Sequence, residues 1–93
     1  MKAKTAIEAK RLEDIPNVGK SIANDLRGLG IHEPEQLIGR DPYQLYEDIA
    51  VITGIRHDPC VCDVFIAAIK FMEGSGPIPW WHYTAERKRK LSP

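Results

Sequence analysis

The residues best placed to do chemistry are Ile15-Pro16-Asn17-Val18-Gly19-Lys20-Ser21-Ile22-Ala23, closed by Leu26, Leu29, Gly30 and Ile31. Their chemistry is the binding of an anion by main-chain donors. A helix leaves its first N–H groups unpaired and gathers partial positive charge at that end. Both effects favour a phosphate. A duplex backbone can approach only if the turn before the helix is small. Gly19 has no side chain to obstruct it and can take positive φ. Asn17 is one of the few non-glycine types that tolerate left-handed angles. Val18 is expected to point inward and fix the turn, while Ala23 lets neighbouring helices pack closely. Lys20 adds a charge beside the N–H groups, and Ser21 adds a hydroxyl donor.

Other chemistry-bearing residues are less well arranged. His57, Cys60 and Cys62 invite a zinc reading, but they are only three ligands, and residues two apart on a helix face different sides. Plain thiols are expected, with no metal and no cofactor. Asp25, Glu47 and Asp48 read as solvated helix charges. No Ser/His/Asp, Cys/His or paired-carboxylate spacing supports catalysis, so a non-enzyme is expected. Trp80, Trp81 and Tyr83 could stack bases, although aromatic residues after a Pro-rich linker more often fold back over a core. Arg87-Lys88-Arg89-Lys90 reads as a solvated basic end; it would support phosphate contact only if it lay beside the turn.

Composition sets the frame. A chain of 93 residues is one domain at most. Its formal charge is zero, which gives no support to strong non-specific polyanion binding. The charge is nevertheless uneven: residues 1–29 carry +2, residues 30–63 carry −5 and residues 64–93 carry +3. Two cysteines one residue apart cannot build a disulfide framework. No apolar run approaches a membrane span and Met1–Thr5 lacks the core of a signal peptide, so a cytoplasmic protein is expected.

The elements that must position the turn are helical. No segment alternates apolar and polar residues, and no hairpin dipeptide occurs. A first helix is expected from about Thr5 to Asp14, with Ile7 and Leu12 inward, ending before Pro16. A second spans about Lys20 to Leu29, with Ile22, Leu26 and Leu29 on one stripe, and Gly30 ends it. A third starts at Pro34, with Leu37 and Ile38 inward. Asp41, Pro42 and Gln44 open a fourth with a capping-box pattern, Leu45, Tyr46, Ile49 and Ile52 face the core, and Gly54 stops it. Asp58 and Pro59 open a fifth through Met72, apolar on most sides and hence central or shared with a partner. Gly74–Pro79 is a linker, and Thr84 is suited to capping a last short helix. This divides the chain into a helical body, 1–73, and an aromatic and basic C-terminal segment, 74–93, packing on it. Ile52-Thr53-Gly54-Ile55-Arg56 echoes Ile15–Gly19, with Arg56 in place of the second glycine.

Pro16, Val18, Gly19, Ala23, Leu26, Gly30 and Ile31 resemble the helix-hairpin-helix motif of DNA repair, recombination and replication proteins. Asn17 stands where that motif normally has its first glycine. The resemblance implies phosphate binding by the N–H groups of Val18, Gly19 and Lys20, with Asn17 and Ser21 beside them, and Arg87, Lys88, Arg89 and Lys90 as supporting cations. With Gly54–Cys60, Trp80–Thr84 and Arg87-Lys88, the whole chain resembles a small bacterial family labelled pathogenicity-locus or mitomycin-resistance protein. The expected architecture is an all-α, compact five-helix helix-hairpin-helix (SAM-like) domain with a degenerate second hairpin. The expected function is binding of nucleic-acid backbone, duplex DNA foremost, without sequence preference and accessory to DNA repair or processing. The alternative is a protein-interaction or homodimerisation module built on the apolar fifth helix and the Trp80-Trp81 region.

Overall fold

The structure, a computed structural model, describes residues 2–91, and among them every regular element is helical. Four α-helices are present: α1, Lys20–Gly28; α2, Pro42–Thr53; α3, Pro59–Met72; and α4, Thr84–Leu91. Single 3-10 turns occupy Ala6–Glu8, Leu12–Asp14, Pro34–Leu37 and Trp80–Tyr83. The fold is thus all-α and compact, with a radius of gyration of 12.2 Å. Five α-helices are not formed. None of the described helices is long and apolar enough to cross a membrane.

The expected first helix is instead two 3-10 turns, and the reason is local. Glu8 accepts hydrogen bonds from the N–H groups of Lys4 and Thr5 at 3.1 and 3.0 Å. Asp14 does the same for Lys10 and Arg11 at 3.0 and 2.9 Å. Carboxylates that capture nearby backbone donors offer the chain an alternative to a continuous helix. The break leaves Ile7 85% exposed, whereas Ala9, Leu12 and Ile15 are buried. The expected third helix is likewise one 3-10 turn, with Leu37 buried and Ile38 exposed.

Where a terminus is set by neighbouring residues, expectation and structure agree. Asp41 accepts from the N–H groups of Tyr43 and Gln44 at the start of α2, with Pro42 as first helical residue. The capping box is not completed: Gln44 does not accept from Asp41 N–H, and its Nε2 donates to Asp48. Gly54 ends α2 at φ 72°. The C-terminus of α1 is a Schellman motif: Ile31 N–H donates to Leu26 O at 2.9 Å and Gly30 N–H to Arg27 O at 3.0 Å. Gly30, at φ 87°, provides the left-handed residue this requires.

The core is built around α3. Residues 62–69, Phe71 and Met72 are all buried, so the helix that is apolar all round is central. It packs against α2, α4 and the turns at 34–37 and 80–83. Tyr83 is buried against it and Trp80 is half-buried at the rim. The aromatic segment therefore does close over the core, with one exception: Trp81 stays 63% exposed.

Within this core sits one charged group. Asp63 is 0% exposed. Its Oδ1 accepts from Arg87 Nε at 2.9 Å, and its Oδ2 accepts from Arg87 Nη2 at 3.3 Å and Thr84 Oγ1 at 2.8 Å. A lone buried carboxylate would be very costly. The helix carrying Arg87 and Thr84 is therefore held to α3 by the need to satisfy Asp63. Tyr43 adds a hydrogen bond to Glu86 at 3.2 Å, and Lys90 lies over the Tyr43 ring.

Candidate functional site

The Ile15–Gly19 turn is formed by the sequence around it. Val18 N–H donates to Ile15 O at 3.1 Å, closing a β-turn with Pro16 second and Asn17 third. Asn17 takes φ 73°, the positive φ that a type II turn demands of its third residue. The left-handed position is therefore Asn17. Gly19 lies at φ −89° and ψ −174°, an extended conformation open to any residue, and a Cβ there would meet nothing within 4 Å. The absence of a Gly19 side chain thus matters only for what can approach from outside. Asn17 is further fixed by its side chain, whose Nδ2 donates to Ile78 O at 2.8 Å.

The sequence-derived site residues separate into two groups. Val18 is fully buried and its N–H is spent in the turn, so it plugs the core and offers no donor. Gly19, Lys20 and Ser21 are exposed. Gly19 caps α1 without a side-chain bond, and the N–H groups of Gly19, Lys20 and Ser21 have no acceptor among the described residues. Three adjacent free donors and the positive end of a nine-residue helix thus meet at one exposed point. From behind, Lys2 Nζ donates to the carbonyls of Val18 and Glu13. Its charge is therefore held against the turn.

Glu13 is a carboxylate two residues before the turn. It is engaged by Arg27 at 2.7 Å, with Arg11 at 3.7 Å. The Arg27 hydrogen bond, helped by a backbone donor, holds the Glu13 carboxyl at about 2, well below its ordinary value. Beside the turn, Pro16, Asn17, Pro77, Ile78, Pro79 and Trp81 line a shallow apolar hollow. Trp81 meets the Trp80 ring edge-on at 5.7 Å and 84°. An exposed indole standing beside the turn was not foreseen from the sequence; the contact is made by the Asn17–Ile78 bond across 61 residues.

The basic end does not join this site. Arg87 is turned inward to Asp63, Lys88 lines a cleft with Arg56, and Lys90 covers Tyr43. Arg89 is exposed. Their described contacts involve no residue of the turn. Nor is the second turn a copy of the first: Ile52 and Ile55 are 58% and 65% exposed, whereas Ile15 and Val18 are fully buried.

The thiols are poorly suited to nucleophilic or ligand chemistry. Burial, with the Asp63 charge adding to it, pushes Cys62 up to about 12. The hydrogen bond to Asp58 and partial burial raise Cys60. Among the described residues no three His, Cys, Asp or Glu side chains gather as a metal ion would require.

Comparison with known proteins places the chain. The mitomycin resistance protein McrB of Streptomyces lavendulae is 43% identical over 88 residues, a stretch covering 95% of this chain and 84% of that protein. No solved structure shows significant similarity to the chain. The model of the Cdd1 family, described as pathogenicity locus, matches residues 5–89 and so includes the turn, Arg56, and the Asp63–Arg87 pair. This chain belongs to the pathogenicity-locus family.

Proposed function

We propose that this protein binds the nucleic-acid backbone, duplex DNA foremost, without reading its sequence, through the N–H groups of Gly19, Lys20 and Ser21. The observation that carries the reading is the exposed, uncapped start of α1, where those three donors lack acceptors and Lys20 stands beside them. A phosphate oxygen satisfies such donors, gains from the helix dipole and requires no particular base. Val18 leaves the expected donor set and serves as the plug that fixes the turn. On this reading the turn is a helix-hairpin-helix of a SAM-like domain whose first helix has shrunk to the Leu12–Asp14 turn. The role is one of binding rather than catalysis, accessory to DNA processing in the cytoplasm. The hollow around Trp81 supports it, because an exposed indole next to a phosphate-holding turn can stack on an unpaired base. The relative's name suggests where to look in cells, namely survival under mitomycin. Titration of fluorescent duplex, single-stranded and branched DNA across a salt series tests the proposal. Affinity should fall linearly with log salt; salt-independent binding, or none, contradicts it.

A second reading is favoured by one observation. Val51, Ile52 and Ile55 are 81%, 58% and 65% exposed around the end of α2, which suits an interaction module. This moves the alternative away from α3, whose faces are buried. Sedimentation equilibrium separates the two: a stable dimer without salt-dependent DNA binding favours the interaction role.

A further inference from the structure

The turn after α2 and the last turns of α4 enclose a cleft of about 320 Å³, lined by Tyr46, Arg56, Pro59, Arg87, Lys88 and Leu91. Three of those six residues are cations. Arg56 comes from the turn, while Arg87 and Lys88 come from a helix beginning some thirty residues later, so the fold brings them together. Like charges gathered this way repel unless something neutralises them.

Among the described residues, only Arg87 of the three is neutralised. Asp63 takes its Nε and Nη2, leaving Nη1 without an acceptor among the described residues. Arg87 is only 12% exposed, so its guanidinium is held in a fixed orientation. Arg56 and Lys88 have no ion-pair partner among the described residues. The nearby carboxylates are engaged or set aside. Asp63 is spent on Arg87 and Thr84, Asp58 accepts from Cys60 N–H, and Glu47 lines the adjoining groove with Arg56 without closing a bridge. Tyr46 donates its hydroxyl to the His57 carbonyl, which leaves its ring, with Pro59 and Leu91, as an apolar wall. Such walls strengthen the pull of the cations on an anion.

We infer that this cleft binds a phosphate group, as a phosphomonoester or phosphodiester. One carboxylate is satisfied by one guanidinium, whereas two guanidinium groups and an ammonium, converging from two elements, match the several oxygens of a phosphate. The site is independent of the α1 turn, none of whose residues lines it. In the sequence Arg56 replaces the glycine of the turn pattern, and in the structure it brings a cation to the cleft.

The test is an amide-resolved NMR titration of the full chain with inorganic phosphate and, separately, adenosine monophosphate at constant ionic strength. Saturable shifts should appear in residues 54–59 and 84–91. Arg56 and Lys88 are exposed, so Arg56→Ala and Lys88→Ala should stay folded and each weaken binding about tenfold, the worth of one charge-assisted hydrogen bond. Arg56→Lys should restore most of the loss, and Gly19→Glu should leave the saturable shifts at residues 54–59 and 84–91 unchanged. Tighter binding of adenosine monophosphate assigns the occupant to a nucleotide, and equal binding to phosphate alone. The inference is overturned if wild type shows no saturable shift, if Arg56→Ala with Lys88→Ala keeps full affinity, or if Gly19→Glu alone abolishes it. The last result would move the phosphate to α1 and leave the proposed function standing.

Discussion

Replacing Arg87 by methionine should destabilise the protein far more than its place near the C-terminus suggests. The Asp63 carboxylate is 0% exposed and sits in the second turn of α3. Without Arg87 it keeps one side-chain donor, Thr84, and α3 cannot move to give it water. Removing one partner of a buried ion pair costs about 3–5 kcal/mol, because the other charge is left uncompensated. Asp63→Asn should cost less, about 1–3 kcal/mol, since the amide oxygen still accepts and Arg87 lies on the outermost helix. The double variant Asp63→Leu, Arg87→Met should fall within about 1 kcal/mol of wild type or exceed it, since an apolar pair of similar volume needs no desolvation. Urea denaturation of wild type, Asp63→Leu, Arg87→Met and the double variant gives the cycle directly, and in a chain of this size a 3 kcal/mol loss lowers Tm by roughly 12 °C or more. Undocking of α4 is the expected first step. That helix buries no residue of its own and is too short to persist alone, so amide exchange across Thr84–Leu91 should accelerate before the rest. An Arg87→Met cost under about 0.5 kcal/mol, or a double variant costing the sum of the singles, would refute the claim that Asp63 holds α4 in place.

Three further outcomes follow from the same structure. The Glu13 carboxyl is lowered from 4.5 to about 2 by Arg27, so its contribution is present above about 4.5 and lost as pH falls toward 2; Glu13→Gln should flatten acid unfolding in that window, as followed by circular dichroism. At Asn17, with φ 73° and a side-chain bond to Ile78, Asn17→Gly should cost about 1 kcal/mol or less and Asn17→Ala about 2 kcal/mol, in thermal unfolding. Cys62, fully buried with its thiol pushed up to about 12, should resist iodoacetamide in the native protein at pH 8 and react once urea is added; mass spectrometry of the alkylated chain reads both states.

The parts of the fold legible in the sequence are those decided within a few residues. Asp41-Pro42 and Asp58-Pro59 open α2 and α3, and Gly30 and Gly54 close α1 and α2, because caps and left-handed stops act locally. The apolar surround of α3 left it central or shared with a partner, and its burial among the other elements makes it central. The failure at Thr5–Asp14 was also local, but periodicity hid it: Glu8 and Asp14 each stand three or four residues past the donors they capture, a spacing a helix would share. At the candidate site, Pro16 and Asn17 announced the turn, yet the left-handed residue is Asn17 and Gly19 is extended. The Asp63–Arg87 pair spans 24 residues and no pattern joined its halves. The one available signal was a single carboxylate on a helix otherwise apolar on nearly every side, which requires a partner. The meeting of Trp81 with the turn, and of Arg56 with Lys88, depends on tertiary packing alone.

The claim that α1 presents a phosphate-binding start rests most directly on one comparison. Gly19→Glu and Lys20→Glu place negative charge at the free N–H groups, and the open space and extended backbone at Gly19 let that substitution fold without strain. Fluorescence anisotropy with a labelled duplex, across a salt series, should show at least a tenfold loss of affinity for each variant. The salt slope should become shallower by about one for the lost Lys20 contact, while the thermal transition stays unchanged. Full duplex affinity in both folded variants would contradict the account.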